Sequence, residues 1–147
     1  MEQQLKASCA IPIAYRDYPV IDGIAMTDGG VADSIPIRKA YQMGAEEITV
    51  VLSQPLGYRK KTSKAPWFTR RIYKNHPALA SASLARADNY NASIAFIHNP
   101  PADCKINIIA PPADFNVGRT TKNYQKLSDG YQMGIVAAQQ HLQSIQL

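Results

Sequence analysis

The chain has 147 residues, 46% of them hydrophobic and 18% charged, with a formal net charge of +5. That balance supports a folded domain with a real core and excludes an intrinsically disordered chain. No apolar run approaches the ~20 residues that cross a bilayer. No basic stretch followed by an apolar one opens the chain, so a cytoplasmic protein without a secretory leader is expected.

Met1 to Ala10 reads as the end of a helix, with Leu5 and Cys9 four residues apart and the pattern already running at the first residue. Ile11 to Tyr15 is expected to be extended, because Pro12 disfavours helical geometry at Ile11. Next, Val20-Ile21 and Ile24-Ala25-Met26 flank Asp22-Gly23, a strong hairpin signal. A second step, Asp28-Gly29-Gly30, follows the returning strand. Its paired glycines permit positive φ and close approach of another segment. Ser34 as N-cap, Pro36 in the first turn, Ile37, Ala40 and Tyr41 on one face and Gly44 as C-cap predict a helix over 34–44. Glu47 to Ser53 is a continuous apolar, β-branched run, expected to be a central parallel strand buried on both faces.

Gln54 to Pro66 is a polar, basic loop, and Pro66 to Lys74 a short helix. Asn75-His76-Pro77 breaks the chain before a longer helix from about Pro77 to His98. Its apolar stripe is Ala80, Leu84, Ala87, Asn91 or Tyr90, Ile94 and Ile97. Asn99-Pro100-Pro101 stops it, and Lys105 to Ala110 is the second buried strand. A loop through Arg119 leads to Thr121, the expected N-cap of a last helix carrying Tyr124, Leu127, Tyr131, Ile135, Ala138, Leu142 and Ile145 at steps of three and four. Strands alternating with helices predict an α/β fold with a mostly parallel sheet.

Cys9 and Cys104 sit in apolar surroundings and read as buried thiols in a reducing compartment. Three scattered histidines and no Cys-x-x-Cys give no metal site, and no motif calls for a cofactor. Between Glu47 and Asp88 there is no acidic residue, but Arg59, Lys60, Lys61, Lys64, Arg70, Arg71, Lys74 and Arg86 all fall there. Such a stretch attracts a polyanion or an anionic membrane surface, and the interleaved Tyr58, Trp67, Phe68 and Tyr73 suit an interfacial segment. The plainer alternative is a solvated face whose aromatics dock on the core. No helix-turn-helix, RNP-like or zinc pattern accompanies the charge, so nucleic acid is not an expected partner.

A carboxylate presented on a rigid glycine turn is well placed for chemistry, although Asp and Gly also form turns for purely structural reasons. Several segments carry a resemblance that favours chemistry. They are Ala7-Ser8-Cys9-Ala10-Ile11-Pro12, Asp28-Gly29-Gly30-Val31, Ile35-Pro36 and Gly44-Ala45-x-x-Ile48-x-Val50-Val51, followed by Gln54-Pro55-x-Gly57-Tyr58-Arg59-Lys60, Tyr73-x-x-His76-Pro77-x-Leu79, Arg86-x-x-x-Tyr90-Asn91 and Tyr131-x-x-Gly134. Together they resemble the C-terminal portion of a bacterial patatin-like phospholipase, over nearly the whole chain. The resemblance implies an α/β acyl hydrolase of lipids or other carboxylic esters, working through a Ser-Asp dyad. Asp28 matches the dyad aspartate, and Gly29 and Gly30 match the turn that presents it.

The other parts of such a site are not in this sequence. A serine nucleophile needs a base within about 2.6–3.2 Å, backbone donors for the oxyanion and a Gly-x-Ser-x-Gly elbow. The one pair of glycines four residues apart, Gly130 and Gly134, is centred on Gln132, and no serine has the elbow context. The resemblance places both missing parts upstream, so residues 1–147 are expected to be the C-terminal part of one patatin-like domain and inactive alone. The resemblance thus implies a partial doubly wound, mostly parallel sheet flanked by helices, and a sheet lacking its N-terminal strands exposes an edge, so self-association through that edge is expected. The competing expectation is a non-catalytic module, peripheral at anionic membranes, that docks through the basic segment within 54–98.

Overall fold

Asp22 and Gly23 both adopt positive φ, 51° and 77°, the signature of a type I′ turn whose twist matches its flanking strands. In this computed structural model the turn joins β1 (Val20–Ile21) to β2 (Ile24–Ala25), paired antiparallel with Val20 opposite Ala25 and Ile21 opposite Ile24. The structure describes residues 2–12, 14–15, 17–118 and 120–145. Arg119 and part of the extended turn expected over 11–15 lie outside the described residues.

The chain divides into two compact units. The first, residues 1–36 with 59–95, holds α1 (Glu2–Ser8), the β1–β2 hairpin, a single 3-10 turn (Gly29–Val31), α3 (Pro66–Ile72) and most of α4 (Pro77–His98). Helix α4 is the expected one, and it opens on Pro77, where a missing N–H costs nothing. Ala80, Ala87, Tyr90, Ile94 and Ile97 are buried along it, as their three- and four-residue spacing predicts. Ser93 is buried among them with no hydrogen-bond partner for its hydroxyl among the described residues.

The second unit, residues 37–58 with 96–147, holds α2 (Ile37–Gln42), β3 (Glu47–Val51), β4 (Lys105–Ile109) and α5 (Tyr124–Ile145). Helix α2 ends in a Schellman arrangement: Gly44 takes φ 90°, its N–H donates to Tyr41 O at 2.9 Å, and Ala45 N–H donates to Ala40 O at 3.2 Å. Strands β3 and β4 pair in parallel from Glu47–Lys105 to Val51–Ile109. The fold is therefore mixed α/β with a small parallel sheet, and among the described residues that sheet has two strands.

Four local expectations are corrected. Strand β3 is not buried on both faces: Val50 is buried while Thr49 and Val51 are exposed, because no further strand or layer covers them among the described residues. Ser34 does not cap α2. Its hydroxyl donates instead to Gly30 O at 2.8 Å. At α5 the cap is Asn123, whose Oδ1 accepts from Lys126 N at 3.0 Å, whereas Thr121 Oγ1 accepts from Gly118 N. Cys104 is buried as expected, but Cys9, beyond the end of α1, is exposed.

Candidate active site at the Asp28 turn

The segment after β2 is tied down at one carbonyl. Ala10 O accepts from both Asp28 N at 3.0 Å and Thr27 Oγ1 at 2.9 Å, which pins the turn beside the end of α1. Asp28 then caps the 3-10 turn: its Oδ1 accepts from Gly30 N at 2.7 Å. This is the Asx geometry that short acidic side chains favour. The other carboxylate oxygen has no hydrogen-bond partner among the described residues.

At Gly30 the glycine serves close approach, not φ. Neither Gly29 nor Gly30 has positive φ, so that part of the expectation is corrected. A Cβ on Gly30 would stand 3.0 Å from Asp28 Oδ1 and 3.9 Å from an Arg86 terminal nitrogen. The absence of a side chain lets the carboxylate close onto the backbone. Arg86, reaching from α4, donates from Nε to Gly30 O at 2.8 Å, and Asn89 Nδ2 donates to Ala32 O at 3.0 Å. Two helical side chains thus hold the far side of the turn, and both their backbone acceptors lie within four residues of Asp28.

Asp28 and Gly29 line a cavity of about 540 Å³. Its other walls are mainly apolar, including Met26, Val31, Pro77 and Leu79, with Tyr18 and His76 among them. The Tyr18 and His76 rings meet edge to face, 5.3 Å between centroids and 78° apart, a favoured aromatic geometry. Burial pushes the phenol of nearby Tyr73 above its usual pKa, with Tyr18 adding to the effect, so Tyr73 remains a neutral hydroxyl at physiological pH. A half-buried carboxylate against an apolar volume of this size is the usual form of a small-molecule site. Among the described residues no group of His, Cys, Asp and Glu converges in a way that could hold a metal ion.

The basic residues lie elsewhere in the same unit, and none of the seven from Arg59 to Lys74 lines the cavity. Lys60 folds back, its ammonium 4.6 Å from the centre of the Tyr90 ring. The Asn91 side chain bonds both the N–H and the carbonyl of Lys60, at 2.9 and 3.0 Å. Arg70 and Arg71 stand in the last turn of α3, where positive charge suits the helix dipole. Lys61, Lys64 and Lys74 are exposed. Trp67 and Phe68, on the same helix, are 69% and 52% exposed and so do not dock on a core.

Sequence reasoning missed Tyr18 and His76 as wall residues. Each stands beside a turn signal, Tyr18 before the hairpin and His76 before the α4 proline, and no local periodicity links the two.

Residues 76–146, which run from that histidine through α4, β4 and α5, match a family described as a domain of unknown function, DUF6363. Asp28 lies outside the matched stretch. The chain is also similar to the uncharacterized protein YjjU of Escherichia coli (strain K12), 27% identical over 145 residues. That similarity takes in 96% of this chain and 40% of YjjU, so the chain spans well under half the length of that relative. No solved structure matches significantly.

Proposed function

We propose that residues 1–147 supply the aspartate half of a Ser-Asp acyl hydrolase of patatin type, acting on lipid or other carboxylic esters. The observation that carries this reading is the Asp28 carboxylate: one oxygen held at 2.7 Å by Gly30 N, the other without a partner among the described residues, on the wall of a cavity of about 540 Å³. In the reaction the free oxygen takes the proton of a serine hydroxyl as that oxygen attacks the acyl carbon. The protonated Asp28 then returns the proton to the departing alkoxide. In the second half Asp28 takes a proton from the water that attacks the acyl-enzyme, and passes it to the serine oxygen as the acid is released. Neither the serine nor the oxyanion donors belong to these residues. The similarity to a relative more than twice this length leaves room for them on further polypeptide. The same further polypeptide would extend the two-stranded β3–β4 sheet.

The test is ester hydrolysis by polypeptide that carries a nucleophilic serine together with this segment. Asp28→Asn should lower kcat about 10²–10⁴-fold with the thermal midpoint preserved. Turnover equal to the unsubstituted protein ends the proposal.

A second reading has its own observation. Trp67 and Phe68 project from α3 beside Arg70 and Arg71, an arrangement suited to the interface of an anionic membrane. No helix among the described residues is long and apolar enough to cross a membrane, so docking would be peripheral. Flotation with anionic and neutral vesicles decides it: equal binding to both removes the basic segment as the cause.

A further inference from the structure

Helix α5 is amphipathic, yet none of its 22 residues is buried. Its covered side runs through Gly130, Met133, Ala137 and His141, all partly shielded. A Cβ at Gly130 would lie 2.7 Å from Val117 Cγ2 and 3.3 Å from the Phe115 ring, so this side packs on the preceding loop. The apolar stripe faces elsewhere. Tyr124, Leu127, Tyr131, Ile135, Leu142 and Ile145 are exposed along it, with Tyr131 at 67% and both Leu142 and Ile145 at 54%, and Val136 is exposed to one side of it. Tyr131 follows Gly130 directly, which puts the stripe about 100° around the helix from the packed side.

From Tyr131 the stripe steps by four, three, four and three through Ile135, Ala138, Leu142 and Ile145. Those five positions fall within about 80° of one helix face, a stripe narrow enough to meet a partner helix as a seam. We propose that this seam pairs with the same seam on a second copy of the chain.

Charge selects that occupant. Along one flank Gln125, Gln132 and Gln139 recur every seven residues, and the only formally charged residues of α5 are Lys126 and Asp129, neither on the seam. The whole chain carries +5, so two copies repel wherever basic surfaces meet. A neutral seam flanked by glutamines is a place where identical surfaces meet without like charges opposed. A twofold pair needs only such a self-complementary patch. Ala138, between Ile135 and Leu142, leaves room for close helix approach. An anionic membrane or an acidic partner would call for basic residues beside the stripe, and Lys126 alone does not provide them.

Sedimentation equilibrium of the purified chain across micromolar concentrations tests this. A monomer–dimer equilibrium is expected, with Ile135→Glu and the milder Tyr131→Gln each weakening it at least about tenfold while the far-ultraviolet circular dichroism stays unchanged. Val51→Lys, on the exposed edge strand β3, should leave the dimer intact, which separates the seam from pairing through the sheet. A chain monomeric at every concentration overturns the proposal. So does a dimer that survives both seam substitutions, or one that Val51→Lys dissolves.

Discussion

Gly30 N–H donates to Asp28 Oδ1 at 2.7 Å, and a Cβ on Gly30 would crowd that same oxygen at 3.0 Å. A methyl group there obliges the carboxylate to give way by a few tenths of an ångström, which weakens that bond. Gly30→Ala should therefore destabilise the protein by about 1 kcal/mol, the net worth of a typical hydrogen bond, and move Asp28 off its position. At Gly29 a Cβ meets nothing nearer than Ser8 Oγ at 3.8 Å. With φ not positive there, Gly29→Ala should be neutral or stabilise by about 0.4–1 kcal/mol through the unfolded chain. Urea denaturation of the two variants gives the comparison, and equal effects would remove the close-approach argument.

Arg86 anchors the same turn from α4 through Nε to Gly30 O at 2.8 Å, an acceptor that also takes the Ser34 hydroxyl. Arg86→Met keeps the apolar stem and removes the donor. A hydrogen bond from a charged group contributes about 1.5–3 kcal/mol, and the retained Ser34 bond places the expected loss at the low end. Amide exchange at Gly30 and Val31 should speed up in this variant while exchange around the β1–β2 hairpin stays as it was. Uniform acceleration across the first unit would indicate general destabilisation instead.

The features legible in the sequence are those fixed within a few residues. Asp22-Gly23 dictates its own hairpin, Gly44 its helix end, and Pro77 the start of α4, because each depends on local backbone sterics. Caps were less legible, since Ser34 and Thr121 each had a competing partner: Gly30 O draws one hydroxyl and Gly118 N the other. Burial of β3 was misread because an apolar run records what a strand can bury, whereas its neighbours decide what it does bury. The Asp28 turn stood out through Asp-Gly-Gly. Its cavity did not, since Tyr18 and His76 meet only through the packing of the first unit.

Ser93 is fully buried on α4, and its hydroxyl has no partner among the described residues. Such a group carries its desolvation cost with nothing in return, and serine is also a weaker helix former than alanine. Ser93→Ala should thus stabilise the protein by about 1 kcal/mol, raising the thermal midpoint about 2–4 °C for a chain of this size. A lowered midpoint would mean that the hydroxyl has a partner in solution, such as an ordered water.

Tyr41 Oη donates to both oxygens of Asp103, at 3.0 and 3.2 Å. That hydrogen bond holds the phenol above its usual pKa of 10.0, with slight burial and the negative charge of Asp103 acting in the same direction. The bond requires the neutral phenol. Its contribution is therefore complete below the ordinary tyrosine pKa and lost as pH rises through the higher value in the folded chain. Both groups are well solvated, so the effect on stability is small and is better read from the titration itself. Followed by the Cζ chemical shift, Tyr41 should titrate above the ordinary tyrosine value of 10.0, and Asp103→Ala should bring it back toward that value. If Tyr41 titrates at the ordinary tyrosine value in the unsubstituted chain, the bond from α2 to the residue before Cys104 does not persist in solution.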